Sequence, residues 1–186
     1  GNREITPDAL GPRVADNMMI TRHVIREFGK YALGAEHSNL ISSIVPGVMA
    51  QTGMESLEII RGVIRETEPD CIVAVDALAA RSVKRLNRTI QITNTGINPG
   101  SGVGNHRHGL NRESVGIPVI AIGVPTVVDA ATIVNDAISG YYEEVDCTLN
   151  SFFVTPKDID ESIKRLSFTI SEGLNLAFEK TACTNS

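Results

Sequence analysis

The strongest constraint on the fold of this chain is an apolar run at residues 72–75 that ends abruptly in Asp76. Four apolar residues rich in β-branched side chains predict a strand buried on both faces of a parallel sheet. Residues 77–80 then predict the start of a helix or a tight turn. Because open α/β sheets bind ligands beyond the carboxyl ends of their strands, Asp76 is a candidate active-site residue. The structural alternative is that Asp76 caps the helix that follows.

Helical and strand patterns alternate along the rest of the chain. Apolar residues at helical spacing indicate helices over residues 6–25, 55–66, 129–140 and 155–180. A short basic stretch indicates a further helix over residues 82–87. Apolar runs or alternations indicate strands over residues 40–45, 89–93 and 116–123, of which 89–93 suits a half-exposed edge. The alternation predicts an α/β fold: a three-layer α/β/α sandwich with a mainly parallel sheet, in one domain over residues 1–186.

Two stretches fit this plan poorly. Residues 1–12 are turn-rich and lack the apolar strand that normally precedes a Gly-Asn turn in a βα unit, so we expect a strand upstream of Gly1 to be missing. Residues 140–155 show no clear pattern. Met49 and Met54 lie near the Pro-Gly turn at 46–47, and we expect them to be buried rather than to form a soft metal site.

Composition excludes several classes of function. The net charge is −5 and the pI is about 5.4, without a run of Lys or Arg, which argues against nucleic-acid binding. No apolar stretch approaches the ~20 residues of a membrane span, and nothing resembles a signal peptide. The three cysteines, Cys71, Cys147 and Cys183, are far apart and fit neither a disulfide framework nor a CxxC metal motif. A reducing, intracellular environment follows.

The glycine-rich stretch 94–105 is neither a P-loop nor a dinucleotide fingerprint, because the glycine spacing and the Gly-Lys-Ser/Thr ending are absent. We interpret it as a mobile active-site loop. His106 and His108 follow directly and could bind a metal as alternate loop residues. Their polar and glycine neighbours favour exposed histidines instead, and we predict no metal and no cofactor. Asp129 is expected in the first turn of a helix, where the helix dipole favours a carboxylate.

A second acid, Asp8, changes the interpretation of Asp76. If the upstream strand exists, both acids follow strands of a parallel sheet and meet at the same edge. Two neighbouring carboxyl groups cannot both ionise easily, so one can donate a proton to a substrate carbonyl while the other activates water. That chemistry suffices for amide hydrolysis without a covalent intermediate. The same pair could instead hold a divalent metal with a third ligand. No GxSxG elbow offers a serine nucleophile.

Motifs over most of the chain resemble the germination protease of spore-forming bacteria. They occur in the same order: GN at 1–2, TPDALGP at 6–12, PGVM at 46–49, VDALAARS at 75–82, TGINPGSGVGN at 95–105, GIPVIAIGVPTVVDA at 116–130 and VTPK at 154–157.

The resemblance implies an atypical aspartic-type endopeptidase that degrades small acid-soluble spore proteins during germination. It also implies a zymogen activated by removal of a propeptide, a homotetramer, and a location in the cytoplasm of the forespore and the spore core. The two proposed catalytic aspartates of the family fall on Asp8 and Asp76 by their motifs. No substrate-binding residue can be assigned from these motifs.

The fold is also similar to that of the hydrogenase-maturation proteases, a phosphorylase/hydrolase-like arrangement in which carboxylates and a histidine recognise a metal. This chain departs from the family pattern in lacking the propeptide and the upstream strand, and in having a short segment near 140–152. Two alternatives therefore stand beside the aspartic-type endopeptidase. One is a metal-dependent endopeptidase, and the other is a non-catalytic relative that binds a spore protein.

Overall fold

The computed structural model describes residues 1–34, 39–98, 108–138 and 147–179. The helices are α1 (Leu10–Asn17), α2 (Arg22–Phe28), α3 (Met49–Thr52), α4 (Ser56–Thr67), α5 (Arg112–Val115), α6 (Ala130–Ala137) and α7 (Ile159–Phe178). The strands are β1 (Ile72–Ala80), β2 (Gln91–Thr93), β3 (Val119–Asp129) and β4 (Phe153–Val154). Short 3-10 helices lie at Thr6–Asp8, Val83–Arg85 and Cys147–Ser151.

The sheet is built on a long parallel pair, β1 and β3. Their ladder runs from Ile72 opposite Val119 to Ala80 opposite Val128, with one register shift after Leu78. The other edge of β3 carries β2 and β4, which are both antiparallel to it. The described sheet is therefore open and mixed, so the expected mainly parallel arrangement applies to the β1–β3 ladder and not to the two strands on the other side of β3.

Apolar side chains cover the two faces of the sheet unequally. On one face, Val73 and Val75 of β1 pack on a cluster built from α1, β3 and α7, whose buried members include Leu10, Val124 and Ile163. Side chains alternate along a strand, so Ile72 and Ala74 face the other side. There they meet a smaller cluster of Leu57, Leu110 and Val119. Helices thus contribute to both faces of the sheet.

The expected turn at residues 77–80 is wrong, because β1 continues to Ala80. β3 runs beside it as far as Asp129, so each of these residues finds a ladder partner instead of starting a helix. Asp76 consequently lies in the middle of a strand and does not cap a helix. β1 is also half-buried rather than fully buried, whereas β3 is buried over most of its length, as its sequence predicts.

The expected first helix is interrupted. A 3-10 turn precedes α1, and a break at residues 18–21 separates α1 from α2. Thr21 in that break is buried, and its hydroxyl donates to the Asn39 carbonyl and accepts from the Ile41 N–H. α1 ends where Met18 takes up an extended backbone, and the Thr21 hydrogen bonds hold the segment between α1 and α2 against residues 39–41.

The strand expected at residues 40–45 is also wrong. The stretch lies beside Thr21 without a strand partner in the described part of the chain, and an apolar run without a partner forms no ladder. Leu40 is 57% exposed there. Met49 and Met54 are 48% and 47% exposed, so the expectation that they are buried is wrong too.

Several other expected elements are confirmed, with ends that lie within one helical turn of their expected positions. β2 is an exposed edge strand, and α6 begins directly after Asp129. α7 begins at Ile159 rather than near residue 155, because the Thr155 hydroxyl donates to the Thr126 carbonyl instead of capping the helix. Across the described residues, no helix has the length and apolar character needed to cross a membrane.

Replacing Gly11 by Ala should destabilise the fold by about 1–3 kcal/mol, the usual cost of overpacking. A Cβ at this position of α1 would lie 2.6 Å from the Val75 carbonyl oxygen of β1, so helix and strand would have to separate. Chemical denaturation of Gly11→Ala measures the effect.

Gly173→Ala in α7 is the matched control, since an added Cβ meets nothing within 4 Å. It should stabilise the helix by up to about 1 kcal/mol, because Ala has the better helix propensity. Equal effects of the two substitutions would contradict the close approach of α1 and β1.

Candidate active site

Asp8 is placed by a tight turn at the start of the chain. Pro7 occupies an early position of the 3-10 helix Thr6–Asp8, where its fixed φ suits the turn. The Asp8 N–H donates to the Ile5 carbonyl, at 2.8 Å. Its carboxylate accepts from the Asn2 N–H, at 2.6 Å. The first eight residues therefore fold back on themselves and hold the Asp8 carboxylate against their own backbone.

Asp76 lies in the middle of β1, opposite Gly123 of β3. Its side chain is only 13% exposed, and its Oδ1 lies 3.7 Å from the Gly1 nitrogen. Side-chain alternation puts Asp76 on the same face as Ile72 and Ala74. It therefore lies just past the smaller hydrophobic cluster, on the side toward the carboxyl ends of β1 and β3.

The Gly1–Asn2 backbone brings the two acids together. Its first nitrogen contacts the Asp76 carboxylate and its second donates to the Asp8 carboxylate. Gly1 has no room for a side chain, since a Cβ there would overlap the Asp8 carbonyl oxygen. The expected pairing of Asp8 and Asp76 thus agrees with the structure. The expected location at the ends of two strands does not, because Asp76 is within its strand.

Burial raises the pKa of Asp76 above its ordinary value, because the carboxylate loses hydration. The negative charge of Asp8 adds to this shift, so the pKa of Asp76 stays raised. A carboxyl group with a raised pKa can act as a proton donor beside a second, ionised carboxylate. This combination is able to activate water and to polarise a carbonyl group.

A family model described as Germination protease matches residues 1–151. This chain belongs to the germination protease family. The match includes both Asp8 and Asp76, together with α1, β1, β3 and the turns between them.

The sequences of relatives named Germination protease align with most of this chain. The protein of Caldanaerobacter subterraneus subsp. tengcongensis is 44% identical over 209 residues, with 96% of this chain and 64% of the relative covered. The Clostridium tetani protein shows the same identity and coverage. The Bacillus velezensis protein is 56% identical over 138 residues, which cover 74% of this chain and 37% of the relative. This chain spans 64% of the length of the first two relatives.

The sequence offered His106 and His108 as a possible metal site. His106 lies outside the described residues. His108 is exposed, and its Nδ1 lies 2.7 Å from Glu55 Oε2 at the start of α4. Among the described residues, no group of three His, Cys, Asp or Glu side chains is arranged to hold a metal ion.

Asp129 has a structural role at the start of a helix, as expected, but it lies one residue before the first turn of α6. As the N-cap of α6, its Oδ1 accepts from the Thr132 N–H at 2.7 Å and its Oδ2 from the Thr132 hydroxyl at 2.8 Å. Both carboxylate oxygens are occupied, so Asp129 does not join the pair of acids.

Sequence reasoning missed two neighbours of Asp76. Gly123 is paired with Asp76 on one side and with Gln91 of β2 on the other. A Cβ at position 123 would overlap the side chain of Leu78, so only glycine fits there without displacing that side chain. A glycine inside the otherwise apolar β3 sequence was the available signal, since strand glycines often indicate a close approach. The register that adds Gln91 has no sequence signal.

Asp76→Asn should make the folded protein more stable at neutral pH. The folded-state pKa of Asp76 is raised, so its contribution to stability is complete below the unfolded-state pKa and is lost as the pH rises through the folded-state pKa. The neutral amide avoids that loss. Thermal unfolding as a function of pH should therefore show a gain that is largest at neutral pH and shrinks under acid conditions.

Asp70→Asn is the control for this experiment, because Asp70 is an exposed carboxylate shortly before β1. Its pH profile should follow that of the wild type. If Asp76→Asn gave the same profile as Asp70→Asn, the Asp76 carboxyl would not be destabilised by burial.

Proposed function

We propose that this chain is the catalytic part of an endopeptidase that hydrolyses small acid-soluble spore proteins during germination, with Asp8 and Asp76 as its catalytic residues. The observation that carries the proposal is the convergence of both acids on the Gly1–Asn2 backbone in a member of the germination protease family. The raised pKa of Asp76 supports an aspartic-type mechanism, which needs one protonated and one ionised carboxyl group.

In the proposed mechanism, a water molecule attacks the carbonyl carbon of the scissile peptide bond. Asp8 accepts a proton from this water while Asp76 donates its proton to the carbonyl oxygen, which gives a neutral tetrahedral intermediate. The intermediate collapses when the C–N bond breaks. Asp8 then protonates the leaving nitrogen, and Asp76 recovers its proton from the hydroxyl group. Both residues return to their initial states, and no covalent enzyme intermediate forms.

The wider properties implied by the resemblance belong to the same proposal. They are synthesis as a zymogen, assembly into a homotetramer, and a location in the spore core. We also propose that residues 1–186 belong to one three-layer α/β/α domain. Support comes from the helices on both faces of the sheet, because α1 and α7 pack on one face and α4 packs on the other.

Asp8→Asn and Asp76→Asn should each lower the rate of cleavage of a small acid-soluble spore protein by at least about a hundredfold, because each removes one partner of the proton transfer. The full-length protein is assayed by the appearance of discrete fragments, with kcat and KM measured separately. Asp70→Asn is the matched control and should cleave at the wild-type rate.

Repeating the assay with a chelator distinguishes the two-aspartate mechanism from a metal-dependent one. Cleavage that is indifferent to chelator supports the two-aspartate mechanism, whereas loss of cleavage on chelation supports a metal-dependent endopeptidase. If no form cleaves but the wild type retains the spore protein in a binding assay, the chain is a non-catalytic relative. Either of the last two results would overturn the proposed mechanism.

A further inference from the structure

We propose that Gln91 is a substrate-binding residue whose side-chain amide holds the backbone of the bound peptide opposite Asp76. This inference rests on the proposed function, because it takes Asp76 as the residue that acts on the peptide bond. It adds a residue outside the two acids and names the part of the substrate that is recognised, which is the main chain.

The sheet register places Gln91 in one row with Asp76. Gly123 is the ladder partner of Asp76 in the parallel pair and of Gln91 in the antiparallel pair. Residues directly opposite in a sheet project to the same face, so the side chains of Asp76 and Gln91 stand on one face with Gly123 between them. Two strand spacings of about 4.8 Å separate their backbones, which gives roughly 10 Å.

That separation suits one extended peptide. In a sheet, a strand with a hydrogen-bonded neighbour on each side occupies the same total width of roughly 10 Å. Gly123 itself has no side chain, and the side chain of Leu78 fills the place above it, where an added Cβ would overlap Leu78. A peptide bound between Asp76 and Gln91 would therefore lie on the apolar Leu78 side chain, with Asp76 on one side and Gln91 on the other.

The chemistry of Gln91 fits this position. It is exposed, and in the described part of the chain its side-chain amide takes part in no hydrogen bond. A carboxamide offers two donors and an acceptor, which match the C=O and N–H groups of a peptide backbone. The pairing of β2 with β3 fixes the backbone of Gln91, so only side-chain rotation is lost on binding.

The neighbouring residues of β2 are less suitable. Ile92 projects to the opposite face, as alternation requires. Thr93 shares the face of Gln91 but is one row away, opposite Ala121. Its hydroxyl is already engaged with the Thr95 hydroxyl, at 2.8 Å. Gln91 is therefore the residue of this strand that is both in the row of Asp76 and able to bind a new partner.

The test uses the full-length protein and a synthetic peptide that spans a cleavage site of a small acid-soluble spore protein. Gln91→Ala should raise KM about tenfold, the effect of losing one or two hydrogen bonds, and leave kcat within about twofold. Gln91→Thr keeps a strand-forming residue and should give the same result, which guards against a folding defect. Thr93→Val, on the same strand and face, is the matched control and should change neither constant.

A second measurement identifies the contact itself. Each peptide N–H of the substrate is replaced in turn by an ester oxygen, and KM is measured for the wild type and for Gln91→Ala. At the position that Gln91 binds, the replacement should raise KM for the wild type and have no further effect in the variant. Ester penalties that are identical in both proteins at every position would overturn the inference.

The failures of the two proposals are distinguishable. If the wild type cleaves no spore protein or peptide, the proposed function fails, and the inference fails with it. If the wild type cleaves and Asp76→Asn does not, while Gln91→Ala has the KM of the wild type, the function stands and only the role of Gln91 is wrong. In that case Gln91 is a solvated residue of an edge strand.

Discussion

The parallel ladder between β1 and β3 is the interaction on which the rest of the structure depends. It holds residues 72–80 extended, and so carries Asp76 inside a strand rather than at the start of a helix. The same ladder sets the register that puts Gly123 opposite Asp76. Because β3 also pairs with β2, one strand fixes the positions of the residues on both of its sides. A shift of one residue would send Asp76 to the other face of the sheet.

A second constraint is the close approach of α1 to β1. Gly11 lies so near the Val75 carbonyl that a side chain would not fit between helix and strand. α1 also packs on α7 through the buried residues Leu10, Val14 and Ile163. This packing fixes the start of α1, and thereby the turn that carries Asp8 just before it. The two acids are close because one is held by a ladder and the other by a helix that lies against the same strand.

The expectations that succeeded depend on local chemistry. The alternation at 89–93 predicted an exposed edge strand, and the apolar run at 116–123 predicted a buried one. The motifs at 6–12 and 75–82 contributed to predicting the family, which the family model confirms. The expectations that failed needed a partner that the local sequence does not reveal. Residues 77–80 are extended because β3 lies beside them. Residues 40–45 form no strand because none of the described strands lies beside them.

From the sequence alone, this chain is predicted to be an α/β member of the germination protease family, with Asp8 and Asp76 as candidate site residues. Those conclusions follow from residue type, spacing and order, which are local properties. Three features of Asp76 emerge only in the folded chain: its place within a strand, its raised pKa, and the row that it shares with Gly123 and Gln91. Burial and register arise from contacts between residues far apart in the chain. No local pattern of side chains specifies them.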